Sequence, residues 1–179
     1  MKSTQTRYGT VAVTIHWLSA LAILALIGSG FRAASLADSA AKETILSVHA
    51  PLGFLVLALT LLRIAWWWFF DRKPDPVGGD AAWQSFSARA VHLLFYIVII
   101  GMAASGIGMM VLSGAGEILF GGAERALPDF NDFAPRVPHG IGARAMVALL
   151  ALHVGAALYH HFIKRDGLIW RMWFVGKTG

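Results

Sequence analysis

The sequence contains no cysteine among its 179 residues. This absence excludes disulfides, cysteine-bound iron–sulfur clusters, thiolate ligation of haem and covalent attachment of haem through cysteine. Histidine, and less readily methionine, is left to bind a metal, and the sequence contains seven histidines and six methionines. We assign the methionines no role, because methionine is a common apolar filler, and expect any metal chemistry to depend on imidazole.

Charged residues are also scarce, at 14% of the chain, whereas 57% of the residues are hydrophobic and the mean hydropathy is +0.63. This composition is too apolar for an ordinary soluble domain and is typical of an integral membrane protein. The net charge of +5 raises the alternative of nucleic-acid binding, but the basic residues lie at the ends of the apolar runs and between them. We therefore expect contact with membrane lipid and no nucleic-acid partner.

Four apolar runs are long enough to cross a bilayer as helices. The sequence predicts an all-α, integral membrane four-helix bundle that forms a single transmembrane domain over residues 1–179. The predicted helices cover about residues 11–31, 48–70, 90–112 and 138–163. A cleaved signal peptide is the alternative for the first run, but 21 residues are long for such a segment. The long connection at 113–137 is predicted to hold a short interfacial helix.

The distribution of Lys and Arg predicts the orientation. With alternate connections assigned to opposite sides, ten of the fifteen cations fall on the side of the two termini: Lys2, Arg7, Arg63, Arg72, Lys73, Arg89, Lys164, Arg165, Arg171 and Lys177. The positive-inside rule then places both termini in the cytoplasm.

The histidines fall at matching depths in this arrangement. His139 and His153 are fourteen residues apart, which is about 21 Å along a helix, with both side chains on nearly one face. His153 and His16 lie near the inner side of the membrane, and His139 and His49 lie near the outer side. Each pair can supply two imidazoles to opposite sides of one metal, which suits a low-spin haem b with no open coordination position.

Other readings of these residues remain open. A single histidine in a membrane helix more often packs or forms hydrogen bonds, and a histidine-lined metal transporter is a further alternative. A zinc or copper site needs ligands within about 2 Å of one ion, so the two separated pairs require two sites. His92 also lies at the inner end, where it could replace His16 or His153 as a ligand or line a polar entrance. Arg63, at the same level, either extends toward the headgroups or pairs with a haem propionate.

Several segments together resemble the bacterial cytochrome b561 family and, more loosely, the cytochrome b subunits of nickel-iron hydrogenases. The resemblance covers nearly the whole chain, although the connection at 113–137 matches no family motif. The segments are Arg7-Tyr8, Ile15-His16-Trp17, His49-Ala50-Pro51-Leu52-Gly53, Leu62-Arg63, His92-Leu93-Leu94-Phe95-Tyr96, the run from Leu152 to Phe162, Lys164-Arg165-Asp166-Gly167 and Arg171-Met172.

The resemblance implies two haem b groups in a multi-pass protein of the bacterial inner membrane. The family's ligand pattern, one histidine from each of the first two helices and two from the fourth, falls on His16, His49, His139 and His153. The resemblance further implies that the protein is a superoxide oxidase, which takes electrons from superoxide at the outer face and reduces ubiquinone. The alternative is a haem-containing membrane anchor that passes electrons from a hydrogenase or dehydrogenase partner to quinone.

A quinone site is predicted at the inner end. His160 lies two turns beyond His153, about 10 Å toward the cytoplasm, where an imidazole can hydrogen-bond a quinone carbonyl and relay a proton. His92, Lys164 and Arg165 lie at a similar level. The alternative is that His160 is solvated by lipid headgroups.

The outer connections carry the cations Arg125, Arg136 and Arg144. They are predicted to steer anionic superoxide toward the outer haem. The alternative is that they pair with Asp129, Asp132 or the haem propionates.

Overall fold

Helices account for the ordered secondary structure of the protein. The computed structural model describes residues 2–37, 39–76 and 81–174, and these residues include no β-strand. The four long helices are α1 (Thr10–Ser35), α2 (Ser39–Ala65), α3 (Ala82–Ser113) and α5 (Arg136–Tyr159), and α4 (Ala115–Phe120) is short. Helices α2 and α5 continue through π-helical turns at Trp66–Phe70 and His160–Lys164, and 3₁₀ turns lie at Phe130–Asp132 and Leu168–Met172.

The four long helices are each long and apolar enough to cross a membrane. Many of their large apolar side chains are exposed, including Leu21, Leu24 and Phe54. Apolar side chains are favoured in lipid over water. The helices also satisfy their own backbone hydrogen bonds, as the bilayer requires. The all-α, four-span class predicted from the sequence is confirmed.

Two helices begin earlier than the apolar runs predict. Helix α2 begins at Ser39 instead of about residue 48, and α3 begins at Ala82 instead of about residue 90. Hydropathy detects only the apolar part of a helix, whereas the added residues of α2 include alanine, lysine and glutamate, which are good helix formers. Because Pro51 lies at the start of the apolar run, the sequence predicts it in the first turn of a helix. In the structure it lies inside α2, where a proline is tolerated in membrane helices.

The helices pack around a small apolar core in the middle of the bundle. Helix α1 packs chiefly on α2, and α3 packs chiefly on α5. Each long helix contributes to a buried cluster of Ala22, Ile23, Val56, Ile99 and Met146. Helices α3 and α5 approach so closely that a Cβ at Gly142 would lie 2.5 Å from Sδ of Met102. A small residue is therefore needed at this crossing.

The described segments nearest to the two chain termini lie at the same end of the bundle. The backbone N–H of Tyr8 donates to the carbonyl of Arg171 at 3.2 Å, and the Arg171 guanidinium donates to the carbonyls of Thr6 and Asp75 at 2.6 and 2.8 Å. We call this the terminal end and the opposite one the far end. The far end carries α4, which is the short helix predicted in the connection at 113–137.

Candidate functional site

The structure brings the four predicted histidines together in two pairs. At the far end, the rings of His49 on α2 and His139 on α5 have centroids 6.4 Å apart and planes at 63°. At the terminal end, the rings of His16 on α1 and His153 on α5 have centroids 6.2 Å apart and planes at 62°. All four are partly buried. The two pairs thus have nearly the same geometry at opposite ends of the bundle.

The ring separations fit two imidazoles that share one metal ion. A metal–nitrogen bond to imidazole is about 2.0–2.1 Å, and adding roughly 1.1 Å from nitrogen to ring centroid on each side gives about 6.2–6.4 Å between centroids. Two imidazoles leave most positions around a metal unfilled. Among residues 2–37, 39–76 and 81–174, no three His, Asp or Glu side chains are grouped as metal ligands. The donor set therefore fits a planar cofactor that brings its own equatorial nitrogens.

Each far-end histidine contacts a Ser-Gly dipeptide of a neighbouring helix, which we call a Ser-Gly step. His49 Nδ1 lies 2.9 Å from Oγ of Ser29 on α1, and His139 Nδ1 lies 3.0 Å from Oγ of Ser105 on α3. His139 Nδ1 also lies 3.1 Å from the carbonyl oxygen of Met102. These contacts occupy Nδ1 of each ring and leave Nε2 for a metal.

The glycine of each step lets the imidazole approach the helix backbone. A Cβ at Gly30 would lie 3.1 Å from Cε1 of His49, and a Cβ at Gly106 would lie 3.4 Å from Cε1 of His139. The first distance is shorter than an ordinary carbon–carbon contact of about 3.5–4.0 Å. A larger residue at either position would displace the ring.

A cavity of about 340 Å³ opens beside the far-end pair, within the range of about 300–1,000 Å³ that is usual for cofactor pockets. His49 and His139 line it together with small and apolar residues. The charged residues that line it are three cations, Lys42, Arg136 and Arg144, and one carboxylate, Asp129. This excess of cations would suit an acidic cofactor. Sequence reasoning missed Lys42, although it lies seven residues before His49 and so two helical turns away on the same face.

The terminal-end pair has different neighbours. Nη1 of Arg63 lies 3.2 Å from Nδ1 of His16, so that a guanidinium takes the place that serine has at the far end. The His92 ring lies only 5.4 Å from that of His153, edge to face at 82°. Nδ1 of His92 contacts the carbonyl of Ala88 at 2.6 Å. The His92–His153 separation is shorter than two rings need across one ion, so His16 is the better-placed partner of His153.

The predicted quinone residues all lie at the terminal end and make separate contacts. Nδ1 of His160 lies 2.5 Å from Oδ2 of Asp166, and the two side chains are only 12% and 17% exposed. Lys164 donates to Oε1 of Gln84 at 3.0 Å. Arg165 is exposed, and its Nε donates to the carbonyl of Phe162 at 3.3 Å.

Asp166, which the sequence analysis did not single out, contacts one of the predicted quinone residues. Burial raises the pKa of its carboxyl, but hydrogen bonds from His160 and the Leu168 N–H outweigh this effect, and the pKa is lowered overall. The carboxylate is therefore ionised at neutral pH and orients the His160 ring. The two residues are six positions apart, which does not bring side chains together on a regular helix, and the helix ends between them at Arg165, whose φ is positive.

The cation Arg125 is placed differently from Arg136 and Arg144. It forms an exposed ion pair with Glu117 at 3.0 Å. The two side chains are 58% and 76% exposed, so this pair adds little to stability. Arg136 and Arg144 line the far-end cavity, and Arg144 also donates to the carbonyl of Gly140 at 3.0 Å.

The chain is similar to one protein-family model and to several known proteins. The family model described as prokaryotic cytochrome b561 matches residues 7–174. Cytochrome b561 homolog 2 of Escherichia coli (strain K12) is 28% identical, over 98% of this chain and 95% of the relative. Cytochrome b561 homolog 1 of the same strain is 25% identical over 93% and 96%. A protein of Yersinia pestis named probable superoxide oxidase CybB is 26% identical over 93% and 95%.

Proposed function

Because the chain belongs to the prokaryotic cytochrome b561 family, whose members bind haem b and transfer electrons, we propose that it is a di-haem b protein that carries electrons across a bacterial inner membrane. His49 and His139 ligate one haem, and His16 and His153 ligate the other. The observation that carries this proposal is the pair of ring separations, 6.4 and 6.2 Å, each of which matches two imidazoles on one metal.

Haem b, held by one pair of histidines at each end, would supply a one-electron iron couple, which suits electron transfer. The protein holds the far-end imidazoles by their Nδ1 atoms and provides Lys42, Arg136 and Arg144 for the propionates. At the terminal end, Arg63 has the same role. It must then leave His16, because a guanidinium can only donate and the Nδ1 of a ligating histidine normally carries a proton.

We propose that both termini are cytoplasmic and that the far end faces outward. The excess of Lys and Arg on the terminal side supports this orientation. The far-end haem is then the outer one, and the two histidine levels form a path for electrons from outside to inside.

The proposed reaction is the oxidation of superoxide at the outer face with reduction of ubiquinone. Two superoxide ions release two electrons and become two molecules of O₂, and one quinone takes up two electrons and two protons to become quinol. The name of the Yersinia pestis relative supports this substrate, as do the cations that line the outer cavity. Their field would raise the local concentration of an anion, and the outer rate should therefore fall as salt rises.

Quinone reduction is proposed at the terminal end, next to His160. The contact with Asp166 fixes the orientation of this imidazole, whose Nε2 can then donate a proton to a quinone oxygen. His92, Lys164 and Arg165 lie at the same end and are the further candidates for quinone contact.

The test is stopped-flow reduction of the purified protein by superoxide, with and without a soluble ubiquinone analogue. We expect both haems to be reduced, and quinone to reoxidise them in the wild type but slowly in His160→Ala. His161→Ala is the matched control, since its ring packs on Phe162 and Trp170 and not on Asp166.

Two results would contradict the proposal. Haems that superoxide leaves oxidised, together with stable copurification of a dehydrogenase or hydrogenase subunit, would favour the membrane-anchor alternative. Equal quinone turnover in His160→Ala and the wild type would move the quinone site, with His92 as the next candidate.

A further inference from the structure

The two Ser-Gly steps share a feature that concerns the protons of the far-end histidines. The hydroxyl of Ser29 donates to the carbonyl of Leu26 at 3.3 Å, and the hydroxyl of Ser105 donates to the carbonyl of Met102 at 3.0 Å. A serine hydroxyl has a single proton, and a carbonyl oxygen can only accept. Each hydroxyl therefore has a carbonyl on its own helix as a partner for its proton.

With its proton directed to that carbonyl, each serine oxygen is an acceptor toward the histidine. The contacts therefore favour the tautomer with the proton on Nδ1 and a free lone pair on Nε2. For His139 the carbonyl of Met102, which lies 3.1 Å from Nδ1, independently requires the same tautomer. This tautomer is the one that binds a metal through Nε2.

The terminal end lacks this arrangement. The Arg63 guanidinium, 3.2 Å from Nδ1 of His16, can only donate, so it offers no acceptor for a proton on that nitrogen. Oxygen acceptors on Nδ1 make an imidazole more basic and favour the oxidised metal.

We propose that Ser29 and Ser105 are positioning residues that hold the far-end histidines in the tautomer protonated at Nδ1 and thereby lower the potential of the far-end haem. This inference rests on the proposed function, because it requires a haem at the far-end pair. Among the described residues, Ser29 is the hydrogen-bond partner of His49 Nδ1, whereas His139 Nδ1 contacts the Met102 carbonyl as well as Ser105. The effect of Ser29 is therefore the larger.

A redox titration of the purified haem-loaded protein, followed at the haem absorption bands, tests the proposal. The step that disappears in His49→Ala identifies the far-end haem. We expect this step to shift upward in Ser29→Ala and to shift upward by a smaller amount in Ser105→Ala. Ser29→Thr, which keeps the hydroxyl, should retain the wild-type position. Ser35→Ala is the matched control, because Ser35 lies on the same helix and its hydroxyl donates only to the carbonyl of Arg32.

The outcomes separate this inference from the proposed function. Two bound haems whose potentials are the same in Ser29→Ala, Ser105→Ala and the wild type would overturn the inference and leave the haem assignment intact. A downward shift of the far-end step in Ser29→Ala would also overturn it. Haem content that is unaffected by His49→Ala would contradict the proposed function itself.

Discussion

Replacing Gly30 with alanine should weaken haem binding at the far end of the bundle. The added Cβ would lie 3.1 Å from Cε1 of His49, and an ordinary contact needs about 3.5 Å or more, so the ring must retreat by roughly 0.4 Å. Ligands of a functional site have to be held within about 0.5 Å of their productive positions. The displacement therefore uses most of the available tolerance.

The cost can be placed at the lower end of the range for overpacking, about 1 kcal/mol, which corresponds to a roughly fivefold weaker affinity. Gly28→Ala is the control, because a Cβ at Gly28 meets nothing within 4 Å, and both substitutions change the helix propensity of α1 by the same amount. The assay is the rate at which haem moves to excess apo-globin, measured in a His153→Ala background that keeps only the far-end haem. Equal rates for Gly30→Ala and Gly28→Ala would refute the reasoning.

Three further predictions concern packing, pH and charge. Gly142→Ala forces Met102 to move and should lower the free energy of unfolding by about 1 kcal/mol. Its thermal midpoint should therefore be lower than that of Gly155→Ala, where a Cβ meets nothing within 4 Å. Equal midpoints would count against the close crossing of α3 and α5. The pKa of Asp166 is lowered in the folded protein, so its stabilising effect is complete above the ordinary value of about 3.9 and is lost as the pH falls through the lowered value. The thermal midpoint of the wild type should therefore exceed that of Asp166→Asn at pH 7, and the difference should shrink below about pH 4. A difference independent of pH would contradict a contact between His160 and an ionised Asp166. Removal of the cation in Arg63→Gln should lower the potential of the terminal-end haem and leave the other unchanged, and an upward shift in a redox titration would argue against Arg63 as its counter-charge.

The number of spans and the pairing of the histidines could be predicted because both depend on position along a helix. Apolar length gives the spans. The spacing of fourteen positions from His139 to His153 fixes their relative depths, whatever the neighbouring side chains are. The helix ends were less predictable, since the early turns of α2 are polar and lie outside the apolar run.

The residues that hold the ligands could not be predicted in the same way. Ser29 and Gly30 come to His49 from another helix, as do Ser105 and Gly106 to His139, and such contacts depend on how the helices rotate and cross. The Ser-Gly dipeptides are visible in the sequence, but small residues in membrane helices most often serve close packing. Only the structure gives them a role beside the far-end histidines.

The measurement that tests the central claim most directly is the haem content of histidine variants. We expect two haem b per chain in the wild type, by a dithionite-reduced spectrum against protein concentration. One haem should remain in His49→Ala and in His16→Ala, and none in the double variant. Loss of both haems from a folded His49→Ala protein, or retention of both, would contradict two independent bis-histidine sites.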